Sequence, residues 1–426
     1  MRLFAPELGE VVLDRLEVVV RVGDARRREV IHDRVLRLPG VVPLAMPEMD
    51  RAPGQRAALY LRATWDGGPA PMLLTGAVEW QGKRQPEHTV PLLRCCTTES
   101  CPGPGARQHA AMAFDPVSRR LVLFGGRRGE RVLGDTWVWD GGAWQLLPAS
   151  DGPAPRTGGA LAWDPQRGRL LLFGGEDRTG EALGDLWEYL GPPSGWRQVE
   201  VPGPLPQARV FAAFSTAPVE RSEGGTELGV LLFGGAAGGQ PLGDTWVWLG
   251  RAGRWVLRQR GLCDELGTST PLGPPCRAGA ALALAMGRSG LEALLVGGAG
   301  RRTAGGWMYD ERVWRWDGRQ WWEAQVAQPP GVLHRRDHRL VPLGGSHLLL
   351  LGGQTDGLVR QDAFRLDLGR GLFVPQLGLS PSGRAGAAAA LDEERGELLL
   401  TGGWTEQGEA ADTWLYSEPA GWVPLR

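Results

Sequence analysis

The side chains able to do chemistry fall into three groups. His334, Asp337 and His338 are the tightest cluster of possible metal ligands. A metal would need further ligands from distant parts of the chain, and no metal or other cofactor is expected. The cysteines are the second group. Cys263 and Cys276 flank a Pro- and Gly-rich insertion, Asp264 to Pro275, where a disulfide would restrict the unfolded chain. Cys95, Cys96 and Cys101 lie together without a histidine at zinc-ligand spacing, so one thiol is left unpaired in a monomer. The third group is a series of arginines, Arg107, Arg156, Arg209, Arg277, Arg336 and Arg384. A guanidinium fork suits carboxylates, so an arginine set gathered on one surface would bind an acidic peptide or an acidic glycan.

Composition bounds the partners. The 426 residues carry a formal net charge of -1, which argues against nucleic acid or an anionic membrane held by bulk electrostatics. Lys83 is the sole lysine, and asparagine is absent, which removes every N-glycosylation acceptor. No apolar run is long enough to span a membrane, and Met1 to Glu10 has no apolar core of a secretion signal. A predicted disulfide nevertheless points towards an oxidising, extracytoplasmic setting. The 65 glycines and 33 prolines are interleaved with short apolar runs, as in many strands joined by turns.

The elements that would position these residues recur. A diglycine follows an apolar run six times, at Gly125-Gly126, Gly174-Gly175, Gly234-Gly235, Gly297-Gly298, Gly352-Gly353 and Gly402-Gly403. The spacing lies near a period of about 50 residues, which marks a repeat architecture. The preceding runs, such as Leu121 to Phe124 and Leu170 to Phe173, are continuously apolar and suit strands buried on both faces. Each diglycine has one of the six arginines upstream. An Asp-x-aromatic pair follows it: Asp135/Trp137, Asp185/Trp187, Asp244/Trp246, Asp362/Phe364 and Asp412/Trp414. The fourth repeat departs with Arg312 and Trp314. A second aromatic comes later: Trp144, Trp196, Trp255, Trp321, Phe373 or Trp422. Four strands per repeat follow, in the first repeat Ala110–Phe114, Leu121–Phe124, Thr136–Asp140 and Trp144–Leu147.

This Arg-x-Gly, diglycine and Asp-x-Trp…Trp pattern resembles the kelch family over residues 106–426. The resemblance implies an all-β fold, a six-bladed propeller of four-stranded antiparallel blades around a channel. It also implies that the Arg-x-Gly arginines can line the channel mouth. Some relatives are copper oxidases, sugar epimerases or iron-dependent specifiers. Nothing carries over to the oxidases or specifiers here, and Tyr189, Tyr309 and Tyr416 read as packing residues. A binding or scaffold module for a protein or glycan is the first expectation, with a carbohydrate-active, epimerase-like enzyme in the channel as the alternative. His109 and His338 stand two residues after an arginine, where other repeats have Gly158, Gly279 and Gly386, and read as blade-edge residues. Arg127, Arg128, Arg131, Arg301 and Arg302 read as a solvated rim.

Residues 1–94 lack the repeat. Strand candidates at Val11–Val22, Glu29–Leu38, Ala57–Thr64, Met72–Trp80 and His88–Leu93 suggest a small immunoglobulin- or fibronectin-like sandwich. Residues 95–105 then form a linker. Oligomeric state is open.

Overall fold

The structure is a computed structural model. It describes residues 103–425 except 149–151, 193, 222–223, 262, 264–272, 288–289, 302–305, 377–379 and 418–420, and backbone strands alone before residue 103. The chain divides into two compact units, Met1–Gly103 with Trp139–Gln145 and Leu425–Arg426, and Pro104–Val138 with Leu146–Pro424.

Six four-stranded antiparallel sheets follow one another along the second part of the chain, each with its strands in sequence order; in blades three to six a small two-stranded hairpin stands between the second and third strands. In the second blade they are Ala160–Asp164, Arg169–Phe173, Leu186–Gly191 and Gly195–Gln198. The apolar runs are the second strands. Leu170, Leu171 and Leu172 have no exposed surface, as expected for a strand covered on both faces by neighbouring blades. In blades two to six the diglycine directly follows this strand. In the first blade the strand Arg120–Arg128 runs through Gly125-Gly126 and turns straight into Arg131–Trp139.

The blades are wedged by the second aromatic of each repeat. Trp196 packs edge-on against Phe124 of the first blade at 5.3 Å, and Trp321 against Phe233 of the third at 5.5 Å. Both indoles also donate across the gap, to Thr136 and Thr245. An aromatic pair of this geometry adds about 0.5–1.5 kcal/mol beyond its burial. The wedge therefore joins the second blade to the first and the fourth to the third.

The ring is closed by backbone hydrogen bonds. The second glycine of each diglycine donates to the carbonyl of the next blade's arginine: Gly126 to Arg156, Gly175 to Arg209, Gly235 to Arg277, Gly298 to Arg335 and Gly353 to Arg384, with Gly403 returning to Arg107. The first glycine lies against the same carbonyl. A Cβ on Gly125 would stand 2.6 Å from Arg156 O, and one on Gly174 2.5 Å from Arg209 O. Only glycine fits there.

Before residue 103 there is a five-stranded antiparallel sheet in the order Leu93–Cys95, Met72–Trp80, Ala57–Trp65, Arg15–Val22, Ala25–His32. Cys96, Cys101 and Arg302 lie outside the described residues, as does most of the insertion 264–275. No helix of the described residues is long and apolar enough to cross a membrane.

Candidate functional site at the channel mouth

The residue after each arginine pairs with the residue after the diglycine: Gln108 with Arg127, Thr157 with Glu176, Val210 with Ala236, Ala278 with Ala299, Arg336 with Gln354, and Ala385 with Trp404. The connections between blades and the loops after the second strands therefore emerge on one face, around one mouth of the channel.

One residue further on, a second ring of backbone bonds rims this mouth. His109 N donates to Gly386 O, Gly158 to His109, Phe211 to Gly158, Gly279 to Phe211, Asp337 to Gly279 and Gly386 to Asp337, all at 2.7–3.0 Å. Every member has a left-handed backbone. Glycine and non-glycine alternate around the ring, with His109, Phe211 and Asp337 at φ 54°, 56° and 58°. The reason is steric. A Cβ on Gly158 would stand 2.7 Å from the Phe211 ring, one on Gly279 2.6 Å from Asp337 Oδ1, and one on Gly386 2.6 Å from the His109 ring. Each side chain that is present needs a glycine beside it.

This ring corrects the reading of the fifth repeat. Asp337, not His338, holds the position of His109 and Gly158, and the arginine two residues before it is Arg335, not Arg336. Arg335 O accepts from Gly298, and Arg335 binds Asp362 with both nitrogens. His338 is buried, and burial pushes its imidazole down to about 3.

The arginine series proves to be blade framework. Arg107, Arg156, Arg209, Arg277 and Arg384 are all buried. In four of them, and in Arg335, the guanidinium forks onto the Asp of Asp-x-aromatic: Arg156 Nη1 meets Asp185 Oδ1 at 2.6 Å and Nη2 meets Oδ2 at 2.8 Å. Nη1 also donates to the first diglycine carbonyl, Gly174 O, and Nε to Ala154 O. The aspartate completes its shell with its own tryptophan, Trp187 Nε1 to Asp185 Oδ2 at 2.6 Å. Where the fifth blade has Phe364, Arg360 fills that place on Asp362. The apparent departure of the fourth blade is a shift of two residues. Asp310 takes the aspartate's part and accepts from Arg277, Arg312 and Trp314. Burial alone would raise these aspartates, but the arginine and indole donors hold them below the usual range, Asp310 at about 2.

Arg336 is the one residue of the expected series with a different setting. It is partly exposed beside the mouth, with its guanidinium 4.2 Å over the Trp307 ring and 3.4 Å from Asp337. Next to it Tyr309 stacks on His334 at 4.2 Å, and Tyr309 takes the Asp356 amide on its hydroxyl. Leu358 and Trp404 stand exposed on the same face. Tyr189 and Tyr416 are buried packing residues as expected, whereas Tyr309 belongs to this patch. His334, Asp337 and His338 go to the face, the mouth and the interior respectively. No group of three His, Cys, Asp or Glu suited to a metal occurs among the described residues. Of the expected rim, Arg128 is tied to Ala106 O and Arg301 leans on Trp307.

Below the mouth the first strands of the six blades enclose a channel of about 260 Å³. Its wall mixes alanine and glycine with larger apolar residues such as Phe114, Trp163 and Leu282, and its polar members are His109, Ser215, Thr216, Asp337, Arg339 and Glu393. At the sequence-predicted disulfide, the Cys263 and Cys276 sulfurs lie at bonding distance, with Cα atoms 5.3 Å apart.

Compared with models of known protein families and with curated proteins, the chain matches none.

Proposed function

We propose that the propeller is a kelch-type binding scaffold that presents its loop-rich face to a protein partner. One observation carries this reading. The framework positions repeat almost unchanged from blade to blade, whereas the residues around the mouth vary. The positions equivalent by pairing are Arg127, Glu176, Ala236, Ala299, Gln354 and Trp404, a cation, an anion, an amide and an aromatic beside two alanines. Positions free of packing duty that diverge within one molecule form a composite surface of specific shape. Trp307, Tyr309, Arg336 and Trp404 are residue types that dominate protein interfaces. The face is mixed in charge, with Glu176, Asp177, Glu181, Asp356 and Glu406 beside Arg128, Arg131 and Arg178. The face is not uniformly basic, and of the six arginines that suggested acidic ligands all but Arg336 spend their donors inside the blades.

The Cys263–Cys276 pair supports an extracytoplasmic working place, and the strands before residue 95 are proposed to form a separate sandwich-like domain. The test uses immobilised full-length protein to enrich partners, each then titrated against wild type and a Trp307→Ala/Trp404→Ala variant. The variant is expected to bind at least about tenfold more weakly, each hot-spot truncation costing 1 kcal/mol or more, with an unchanged melting temperature. Partners bound equally by this variant, and weakened instead by Val117→Asp on the opposite turns, overturn the reading.

A further inference from the structure

One imidazole stands where the repeat needs none. The residue after each member of the mouth ring is Ala110, Gly159, Ala212, Ala280, His338 or Ala387. Where this residue has a Cβ, it lies against the second diglycine glycine of its own blade, as Ala110 does at Gly126 and His338 at Gly353. The His338 side chain then crosses the seam into the fourth blade. A Cβ on Gly297 would stand 2.6 Å from His338 Cε1 and 3.3 Å from Nε2. The residue is 1% exposed, and neither ring nitrogen has a hydrogen-bond partner among the described residues. The guanidiniums of Arg335 and Arg339 face it and oppose a further positive charge, and on the fourth-blade side it meets backbone, with Val296 favouring the charged form. No carboxylate offsets the two cations. Asp362 is forked by Arg335, and Asp337 accepts from Gln354. The other buried imidazole, His109, has Asp337 as a countercharge.

We propose that His338 is an acid-operated latch between the fourth and fifth blades: taking up a proton opens this seam and releases the partner held on the loop-rich face. The release rests on the reading of that face given above. A neutral imidazole can remain in the gap at the cost of its lost water contacts. An imidazolium cannot, because two guanidiniums flank it and no acceptor meets it. Opening the seam returns the ring to water, where its pKa is about 6.5. In the closed seam burial and the two arginines hold it at about 3. The latch is therefore fully closed above about pH 6.5, and each pH unit below that costs the closed seam a factor of about ten until about pH 3. The same seam assembles the aromatic patch. Arg336 of the fifth blade lies 4.2 Å over Trp307 of the fourth, and His334 stacks on Tyr309 at 4.2 Å. The Gly298 to Arg335 backbone bond crosses the gap beside them. Opening it parts both pairs.

Amide hydrogen exchange of the full-length protein at pH 7 and pH 5, corrected for the intrinsic pH dependence of exchange, tests the latch with no partner present. Protection of the Gly298 amide, which bridges this seam, should fall roughly thirtyfold. Protection of Gly175, which bridges the second and third blades, should hold. His338→Ala installs the residue that four other blades carry, and His338→Leu keeps the bulk without a proton to take; both should abolish the difference. Partners enriched on the immobilised protein at pH 7 should then elute at pH 5 from wild type and stay on both variants. Protection lost alike at both seams, or lost equally in wild type and variants, overturns the latch. Partners that remain on wild type at pH 5 while its seam is open overturn the release. The Trp307→Ala/Trp404→Ala titration judges the face itself, so the two failures are told apart.

Discussion

An arginine that repeats in every blade and an arginine that occurs in one carry different meanings. Arg156 is buried with all its nitrogens engaged, so Arg156→Ala leaves the Asp185 carboxylate and the Gly174 carbonyl without their donor. Breaking a buried pair from one side costs about 3–5 kcal/mol, and chemical denaturation should show a loss of this order. Arg336→Ala, at the partly exposed neighbour of the mouth, should change stability by less than about 1 kcal/mol. Similar losses at both positions would contradict the division into framework and surface. The same pairs set the acid limit. The framework aspartates have folded pKa values below their unfolded value of about 3.9. Their stabilisation is complete above that value and is lost as pH falls through the folded pKa, about 2 for Asp310. Burial raises Asp164, Asp392 and Glu292, which act in the opposite sense and are relieved by protonation. Asp177, Asp317 and Asp367 are depressed as well, so among the described residues nine aspartates stand against three raised carboxylates. The buried imidazoles of His109 and His338, lowered by burial, already lose stability as pH falls below about 6.5. Denaturation midpoints should fall from there and further between pH 4 and pH 2, and a flat profile over the lower window would count against the pairs.

At the scale of elements, the diglycines act as joints. Gly402→Ala would drive a Cβ into the Arg107 carbonyl at the point where the last blade meets the first, at φ +68°. The expected cost is about 2–5 kcal/mol, from steric strain and a disfavoured backbone. Gly180→Ala, also at positive φ but with open space around it, should cost about 1–2 kcal/mol. Thermal unfolding of the two variants separates the effects, and equal shifts would show that close approach is not what selects glycine. The strands were legible because their signals are local. Continuous apolar runs, diglycines and tryptophans announce buried strands and their ends. The mouth was less legible. Asp337 replaces a glycine in the ring, and Arg335 precedes Arg336, so counting from the wrong arginine shifted the fifth blade by one residue. In the fourth blade the shift of Asp310 away from Trp314 hid an aspartate that keeps its partners. His338 stands out only once the backbone ring sets it beside four alanines and a glycine.

At the scale of the whole molecule, both backbone rings run through all six blades and return to the first, so closure needs no strand exchanged between the ends of the repeat array. Their geometry gathers the blade connections and the second-strand loops on one face, and leaves the short turns near Val117 on the other. The central claim is that the first of these faces meets the partner. It is tested most directly by placing a photo-crosslinking residue either at Leu358 on the loop-rich face or at Val117 on the opposite turns, both well exposed at 74% and 66%. After irradiation with native partners present, a discrete protein adduct should form from position 358 and disappear in the Trp307→Ala/Trp404→Ala background, with none from position 117. An adduct formed from position 117 alone, or from both positions alike, would contradict the account.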